Sequence, residues 1–435
     1  MTPSYCVVGG GISGLTAVYR LRAAAGDDAE ITLLDPADRL GGALRTEHVG
    51  GRPMDVGAEA FVVRRPEALA LLDELGLAER RISTTGARPL IYSQGRLHAL
   101  PARTVVGIPS SAESVAGLVD DTTIARIRDE PARPLHWRVG GDPPVAQLVA
   151  ERFGEQVVAR SVDPLLGGVY AGSAATIGVR AAAPGLAAAL DGGAASLTEA
   201  VHAALSTVTD GPVFGALQGG YRVLVDELVR RGRPRWVRSG VERIERTEQG
   251  WTVRDSAGTR RHADAVILAV PAPHSARLLD GFAPHAAAAA RRIRSATSAV
   301  VAFAVPAGAA FPEHSGVLAA SGEPLQAKAI TLSSRKWGGH GDVELVRLSF
   351  GRFGDDALRC ASDDQLLAWA VDDLATVFGV AVTPVEARVQ RWSDAMPQYG
   401  PGHGELVAEL RAGLPATVSV AGSYLDGIGV PACIG

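Results

Sequence analysis

Gly9-Gly10-Gly11-Ile12-Ser13-Gly14 sets glycines in a G-x-G-x-x-G pattern. A short apolar run, Tyr5-Cys6-Val7-Val8, comes directly before it. A helical pattern with Leu15, Val18, Tyr19 and Leu21 follows. In that context the pattern predicts a dinucleotide cradle. The first glycine permits a tight turn, the second lets a pyrophosphate approach the backbone, and the third lets the helix pack close on the strand. The phosphates would rest on free N–H groups at the positive end of the helix. Asp35 closes the next apolar run, Ile31–Leu34. It stands a little past the spacing of about 20 at which an acid meets ribose hydroxyls.

The residues after Asp35 bear on which dinucleotide. Arg39-Leu40-Gly41-Gly42-Ala43-Leu44-Arg45-Thr46 reads R-x-G-G-x-x-x-T. This resembles the extended nucleotide fingerprint of FAD enzymes of the amine oxidase and protoporphyrinogen oxidase superfamily. Gly427 to Ala432 also spells G-x-G-x-x-A, but no βαβ unit follows it before Gly435, so no second cradle is expected there. With no nicotinamide domain evident, oxygen or another small acceptor is expected to reoxidise the flavin.

Further motifs spread the resemblance along almost the whole chain. Asp55-Val-Gly57-Ala58-Glu59-Ala60-Phe61 looks like the segment that passes the flavin in porphyrinogen oxidases. Asp163-Pro-Leu-Leu-Gly-Gly168-Val-Tyr170-Ala-Gly172, Ser333-Ser-Arg-Lys336-Trp337 and Trp392-x3-Met396-Pro-Gln398-Tyr399-x3-His403 resemble three more signatures of that group. Ala421-Gly422-x3-Asp426-Gly427-Ile428-Gly429-Val430-Pro-x-Cys433-Ile434 resembles its terminal flavin motif. Together they are most similar to the bacterial coproporphyrinogen III oxidase branch. The resemblance implies oxidation of coproporphyrinogen III to coproporphyrin III for haem biosynthesis. Six electrons leave through FAD, and three O2 become three H2O2. Protoporphyrinogen IX oxidase is the near alternative and a flavin amine oxidase the distant one. A ferrochelatase is an implied transient partner.

The same resemblance implies FAD contacts at Gly9, Gly10, Gly11, Ile12, Ser13 and Gly14, at Asp35-Pro36, at Gly42 and Arg45, and at Gly57, Ala58, Glu59 and Ala60. Val241 should meet the adenine through its backbone, and Trp392, Ile428, Gly429 and Val430 should lie near the flavin ring. The context of Cys433 resembles the non-covalent branch. Family members continue past the Cys-Ile pair into a helix, so a tail beyond Gly435 is expected.

A porphyrinogen has sp³ meso carbons, and hydride loss to a flavin starts its aromatisation. The cofactor carries that chemistry while the protein orients the ring. No triad and no metal-ligand spacing stands in the sequence, the ten histidines are scattered, and no catalytic base is assigned. The substrate's carboxylates call for arginine at the rim of an apolar cleft. Arg64 and Arg65 are candidates, although both also suit a solvated helix start. Gly168 and Tyr170 are candidates for the macrocycle face, with core packing equally open for Tyr170.

The chain that must position these residues has 435 of them, 47% hydrophobic and 21% charged, with a net charge of −4. That is ordinary globular composition and gives no electrostatic footprint for nucleic acid. Lys328 and Lys336 are the only lysines among 43 basic residues, so most anion contacts fall to arginine. Three scattered cysteines suit a reducing compartment. No signal peptide and no membrane-spanning run is evident, which predicts a cytoplasmic protein.

The apolar pattern predicts strand, helix and strand over the first 35 residues, a helix over Pro66–Leu77, and a largely helical stretch from Arg80 to Gly211. A helix at Arg222–Arg231 and strands near Arg235, Trp251 and Ala265 follow. From Ser298 strands dominate, with a helix at Asp363–Phe378 and a last parallel strand from Val418. The expected fold class is α/β: a Rossmann-like FAD-binding domain of the glutathione-reductase/amine-oxidase type, with a mixed-sheet substrate domain and a helical insertion. The FAD domain is expected in three parts, 1–75, 215–290 and 390–435. The helical insertion falls at 76–214 and the β-rich substrate domain at 291–389.

Overall fold

A computed structural model describes residues 2–206, 211–339 and 341–435. Residues 207–210, at the end of the expected helical stretch, lie outside the described residues. Ser4–Val8, the helix Ile12–Ala25 and Glu30–Leu34 form the opening βαβ unit. Both strands read as apolar runs because both faces of the sheet are covered. Among the described residues the sheet has five parallel strands: Arg235–Val237, Glu30–Leu34, Ser4–Val8, Ala265–Leu268 and Val418–Val420, in that order. Three stretches far apart in sequence thus complete one Rossmann-type layer.

A second sheet carries seven strands in the order Glu386–Pro397, Ser295–Pro306, Val343–Phe350, Ala327–Leu332, Gly316–Ala319, Pro89–Ser93 and Arg96–Ala99. All neighbours are antiparallel except Gly316–Ala319 with Pro89–Ser93. One face packs Val301, Phe303, Leu348 and Phe350 against Leu366, Ala370 and Leu374 of the helix Asp363–Phe378. The other turns Val300, Ala302, Ala304 and Leu345 toward Val49, Met54 and Val56. That second face brings the sheet against the segment of residues 55–60.

The stretch after Arg80 is not helical throughout. It opens with the strand Arg81–Ser83 and the hairpin Pro89–Ala99, which supplies two strands of the large sheet. The hairpin turns at Gln94 and Gly95, whose φ values of 53° and 70° fit a two-residue turn of primed type. Helices begin at Asp121 and build a separate apolar cluster around Val149, Phe153, Leu186 and Val201. One of them, Asp163–Tyr170, lies over the strands Gly316–Ala319 and Ala327–Leu332. It is entered through a π-type turn, Val158–Val162. Pro164 has no N–H to continue the usual ladder, which accounts for the widened turn.

Candidate active site

Steric necessity at the first turn makes the cradle. Gly9 has φ +105°, and a Cβ there would stand 2.3 Å from the Ala269 carbonyl oxygen. A Cβ on Gly14 would stand 1.9 Å from the Gly9 carbonyl oxygen, so the helix rests directly on the turn. Above Gly11 the space is open: a Cβ would meet only the Gly42 Cα, at 3.9 Å. The helix has Gly11 as its N-cap, with no side-chain cap and no acid in its first turn. Its first N–H groups are left for an anion. These are the features a pyrophosphate needs, and the residues present fit one.

Asp35 holds the edge of this cradle. Its Oδ2 accepts from the Gly10 N–H at 2.6 Å and its Oδ1 from the Ala37 N–H at 2.9 Å. A carboxylate can accept about four hydrogen bonds, so capacity remains for a ribose. Pro36 beside it is exposed. The Gly41 N–H donates to the Gly10 carbonyl at 2.7 Å, which lays Gly42 across Gly11. Arg45 pairs with Glu47 at 2.5 Å. Val241 is buried at the start of the strand Val241–Thr247, where its carbonyl accepts from Arg277 at 3.2 Å.

Residues 55–60 run alongside 43–45, with Ala58 N–H on the Ala43 carbonyl at 3.0 Å and Val56 N–H on the Arg45 carbonyl at 2.9 Å. A Cβ on Gly57 would stand 1.9 Å from the Ala43 carbonyl oxygen and 2.9 Å from the Trp392 ring. Glu59 fastens the segment to the large sheet. Its carboxylate takes Lys336 Nζ at 2.6 Å and Ser333 Oγ at 3.1 Å, with Arg347 Nη1 at 4.0 Å. Burial alone would raise this carboxyl; the Lys336 and Arg347 charges and the hydrogen bonds outweigh it and hold it at about 2. Arg347 also donates to the Gly57 carbonyl at 2.5 Å. Asp55, at the head of the segment, accepts from Thr46 Oγ1 at 2.5 Å and the Tyr221 N–H at 3.1 Å. Burial, with the Glu59 charge adding, pushes its carboxyl up to about 7 against those hydrogen bonds.

The W-x3-M-P-Q-Y-x3-H motif clamps the remaining pieces together. Trp392 Nε1 donates to the Val56 carbonyl at 3.0 Å. Gln398 Nε2 donates to the Tyr170 carbonyl at 2.8 Å. The Tyr399 hydroxyl donates to the Ser423 carbonyl, and His403 stacks on the Tyr399 ring at 4.0 Å while its Nε2 meets the Leu425 carbonyl at 3.1 Å. One motif therefore binds the segment of residues 55–60, the helix Asp163–Tyr170 and the terminal segment. Ile428 and Gly429 lead into the short helix Val430–Ile434, which packs on the helices Ile12–Ala25 and Pro66–Glu74.

The four substrate candidates separate. Arg65 is the N-cap of the helix Pro66–Glu74 and pairs with Glu67 at 3.1 Å. Its Nη1 would lie 3.7 Å from a Cβ on Gly427, beside the terminal motif. Arg64 is exposed. Gly168 is exposed on its helix, over Leu318. Tyr170 leans on Tyr399 at 5.7 Å and its hydroxyl reaches the Ala181 carbonyl at 3.3 Å, a packing role within the helical layer. Arg347 and Arg352 carry no motif in the sequence, and Lys328 stands out there only as one of two lysines. The available signal was a charged residue inside an apolar strand for Arg347, and the rarity of lysine for Lys328. Among the described residues no group of three His, Cys, Asp or Glu converges as a metal site. No helix among them is long and apolar enough to cross a membrane.

The fold and cradle define an FAD-binding α/β oxidoreductase. The family model for flavin containing amine oxidoreductase matches residues 12–434, and the chain belongs to that family. A coproporphyrinogen III oxidase of Mycobacterium tuberculosis is 72% identical over 436 residues, covering 100% of this chain and 96% of the relative. Its counterpart from Mycobacterium leprae is 69% identical over 431 residues, covering 99% of this chain and 96% of the relative. A crystal structure of an Exiguobacterium protein described as a protoporphyrinogen oxidase superposes with a TM-score of 0.88 at 27% identity. That match covers 100% of this chain and 96% of the other.

Proposed function

We propose that this chain oxidises coproporphyrinogen III to coproporphyrin III in haem biosynthesis, in the cytoplasm, with FAD as cofactor and oxygen as terminal acceptor. The observation that carries the reading is the 72% identity, over the whole chain, to a relative of that name, joined to a cradle shaped for a dinucleotide. Residues 1–75, 215–290 and 390–435 hold the cofactor, while 76–214 and 291–389 enclose the substrate.

Bound FAD supplies a hydride acceptor for the meso carbons. The chain's own residues bind and orient. Gly9 to Gly14 seat the pyrophosphate and Asp35 the ribose. Gly57 to Ala60, held by Arg347 and Lys336, give the ring a fixed edge. Trp392 pins that edge from the other side through Val56. Arg65 offers a guanidinium at the rim for a substrate carboxylate. FAD binding is non-covalent: burial pushes the Cys433 thiol up to about 11, so it carries little thiolate for attack on a flavin.

Two substrates test the reading side by side. The FAD-loaded protein should turn over coproporphyrinogen III, with peroxide released, at least about tenfold faster in kcat/KM than protoporphyrinogen IX. That gap is the scale of one lost charge-assisted contact. Equal or reversed rates would give preference to the protoporphyrinogen reading.

A further inference from the structure

The large sheet carries an unbalanced group of cations on the face that meets residues 55–60. Lys328 is only 5% exposed. It sits where the pairing of Ala327–Leu332 with Val343–Phe350 shifts register, between Ala327 and Ala329. Such bulges re-aim one side chain out of the strand's alternation. Ala327, Ile330 and Leu332 point into the apolar core, while Lys328 keeps charged company. Its Nζ donates to the Phe350 and Gly351 carbonyls at 3.0 and 2.8 Å. Among the described residues its charged neighbours are Arg352 and Arg347, and no carboxylate pairs with it.

Arg352 has the charges of Asp163 and Asp355 nearby, but among the described residues it forms no ion pair with either. Its Nη2 donates to the Ala319 carbonyl at 3.3 Å, and its Nη1 is buried with none. That Nη1 lies against Gly167, where a Cβ would approach it to 2.4 Å. The nearby Asp163 accepts from the Ala174 N–H at 2.7 Å and from Ser321 Oγ at 2.8 Å. Arg347 likewise has a buried Nε without a partner, and Glu59 is bound more closely to Lys336 than to it.

Buried cations are ordinarily paired, and leaving them unpaired costs several kcal/mol. An ammonium has three N–H donors, and two of those on Lys328 are accounted for. A single carboxylate would complete both Lys328 and Arg352. We infer that Lys328 and Arg352, beneath Gly167 of the helix Asp163–Tyr170, form a carboxylate-binding subsite that takes one acid side arm of the tetrapyrrole. The absence of a side chain at Gly167 gives the guanidinium room to turn toward the ligand. This rests on the substrate proposed above. Burial, with Arg352 and Arg347 adding, lowers the Lys328 ammonium to about 7. A bound carboxylate reverses that effect, so binding takes up a proton above neutral pH.

Calorimetric titration of the FAD-loaded protein with coproporphyrin III at pH 8, in two buffers of different ionisation enthalpy, reads this directly. The expected result is uptake of about one proton per site. K328M should abolish the uptake, and both K328M and R352Q should weaken binding at least about tenfold while FAD content stays as in the wild type and Tm does not fall. The wild-type uptake decides the matter even if K328M does not fold. No uptake by the wild type, or variants that bind as it does, overturns the subsite. Inorganic phosphate titrated alone separates the sources. Uptake with phosphate that coproporphyrin III does not displace makes this an inorganic anion site and overturns the assignment. Normal turnover of coproporphyrinogen III with unaltered variants sinks the subsite alone, whereas a wild type without turnover sinks the substrate reading itself.

Discussion

The cradle and the cationic sheet face do their binding with different materials. The cradle is backbone. Gly9, Gly11 and Gly14 lie within six consecutive residues, and what matters is the absence of side chains. The sheet face is side chains. Glu59, Lys328, Lys336, Arg347 and Arg352 arrive from separate elements and act by charge. A dinucleotide pyrophosphate is a constant ligand, and a rigid turn with free N–H groups serves it. A substrate's carboxylates lie on a larger frame, and long cationic side chains can be set at the required spacing. The first kind of site tolerates almost no change in volume, while the second is sensitive to charge and pH.

Four changes bear on that contrast. G14V should be the most damaging, since a Cβ there stands 1.9 Å from the Gly9 carbonyl oxygen. The purified protein should lack the flavin band near 450 nm even with added FAD. Normal flavin content would mean that the turn can yield. E59Q should follow, because it leaves Lys336 half-buried without its partner. A loss of roughly 2–3 kcal/mol in stability is expected, with FAD binding weakened about tenfold. Urea unfolding and FAD titration measure both. The double variant E59Q/K336M should recover part of the stability, which separates a charge role from a shape role.

D55N concerns pH. Burial holds the folded Asp55 carboxyl at about 7, against the ordinary 3.8 of an aspartate. The folded protein therefore holds this proton more tightly than the unfolded chain. The ionised form destabilises, its penalty growing as pH rises from about 4 and complete above about 7. D55N should stabilise by roughly 2–4 kcal/mol at pH 8, less at pH 5.5, and not at all near pH 4. Denaturant midpoints at those pH values check it, and a gain independent of pH would contradict it. R65A should be the mildest. Its partner Glu67 is on its own helix, so FAD content should hold while KM rises several-fold. Equal loss of flavin would make Arg65 part of the cofactor's support.

The cradle half was legible because its signals are local. Ser4–Val8, Ile12–Ala25 and Glu30–Leu34 follow from apolar runs and glycine spacing. The helix Asp363–Phe378 was bounded by a Ser362 cap that accepts the Gln365 N–H and by Gly379 at its end. The pairing of Pro89–Ser93 with Gly316–Ala319 was not legible, since it joins strands more than 200 residues apart. Its hairpin did leave a trace, Gln94-Gly95 between two apolar runs, hidden among prolines and glycines. Arg352 could not be singled out, because one arginine in an arginine-rich chain looks like any other until the fold places it, and Arg347 left only the trace of a charge inside an apolar strand. Tyr170 sits in a recognisable motif, and its hydroxyl reaches the Ala181 carbonyl of the helical layer.

The central claim is that the glycine cradle presents a flavin to a tetrapyrrole. Anaerobic mixing of the FAD-loaded protein with coproporphyrinogen III tests it most directly. The flavin absorbance should bleach near-stoichiometrically as porphyrin absorbance grows, and it should return when oxygen is admitted. A flavin spectrum unchanged by excess coproporphyrinogen III would contradict the claim.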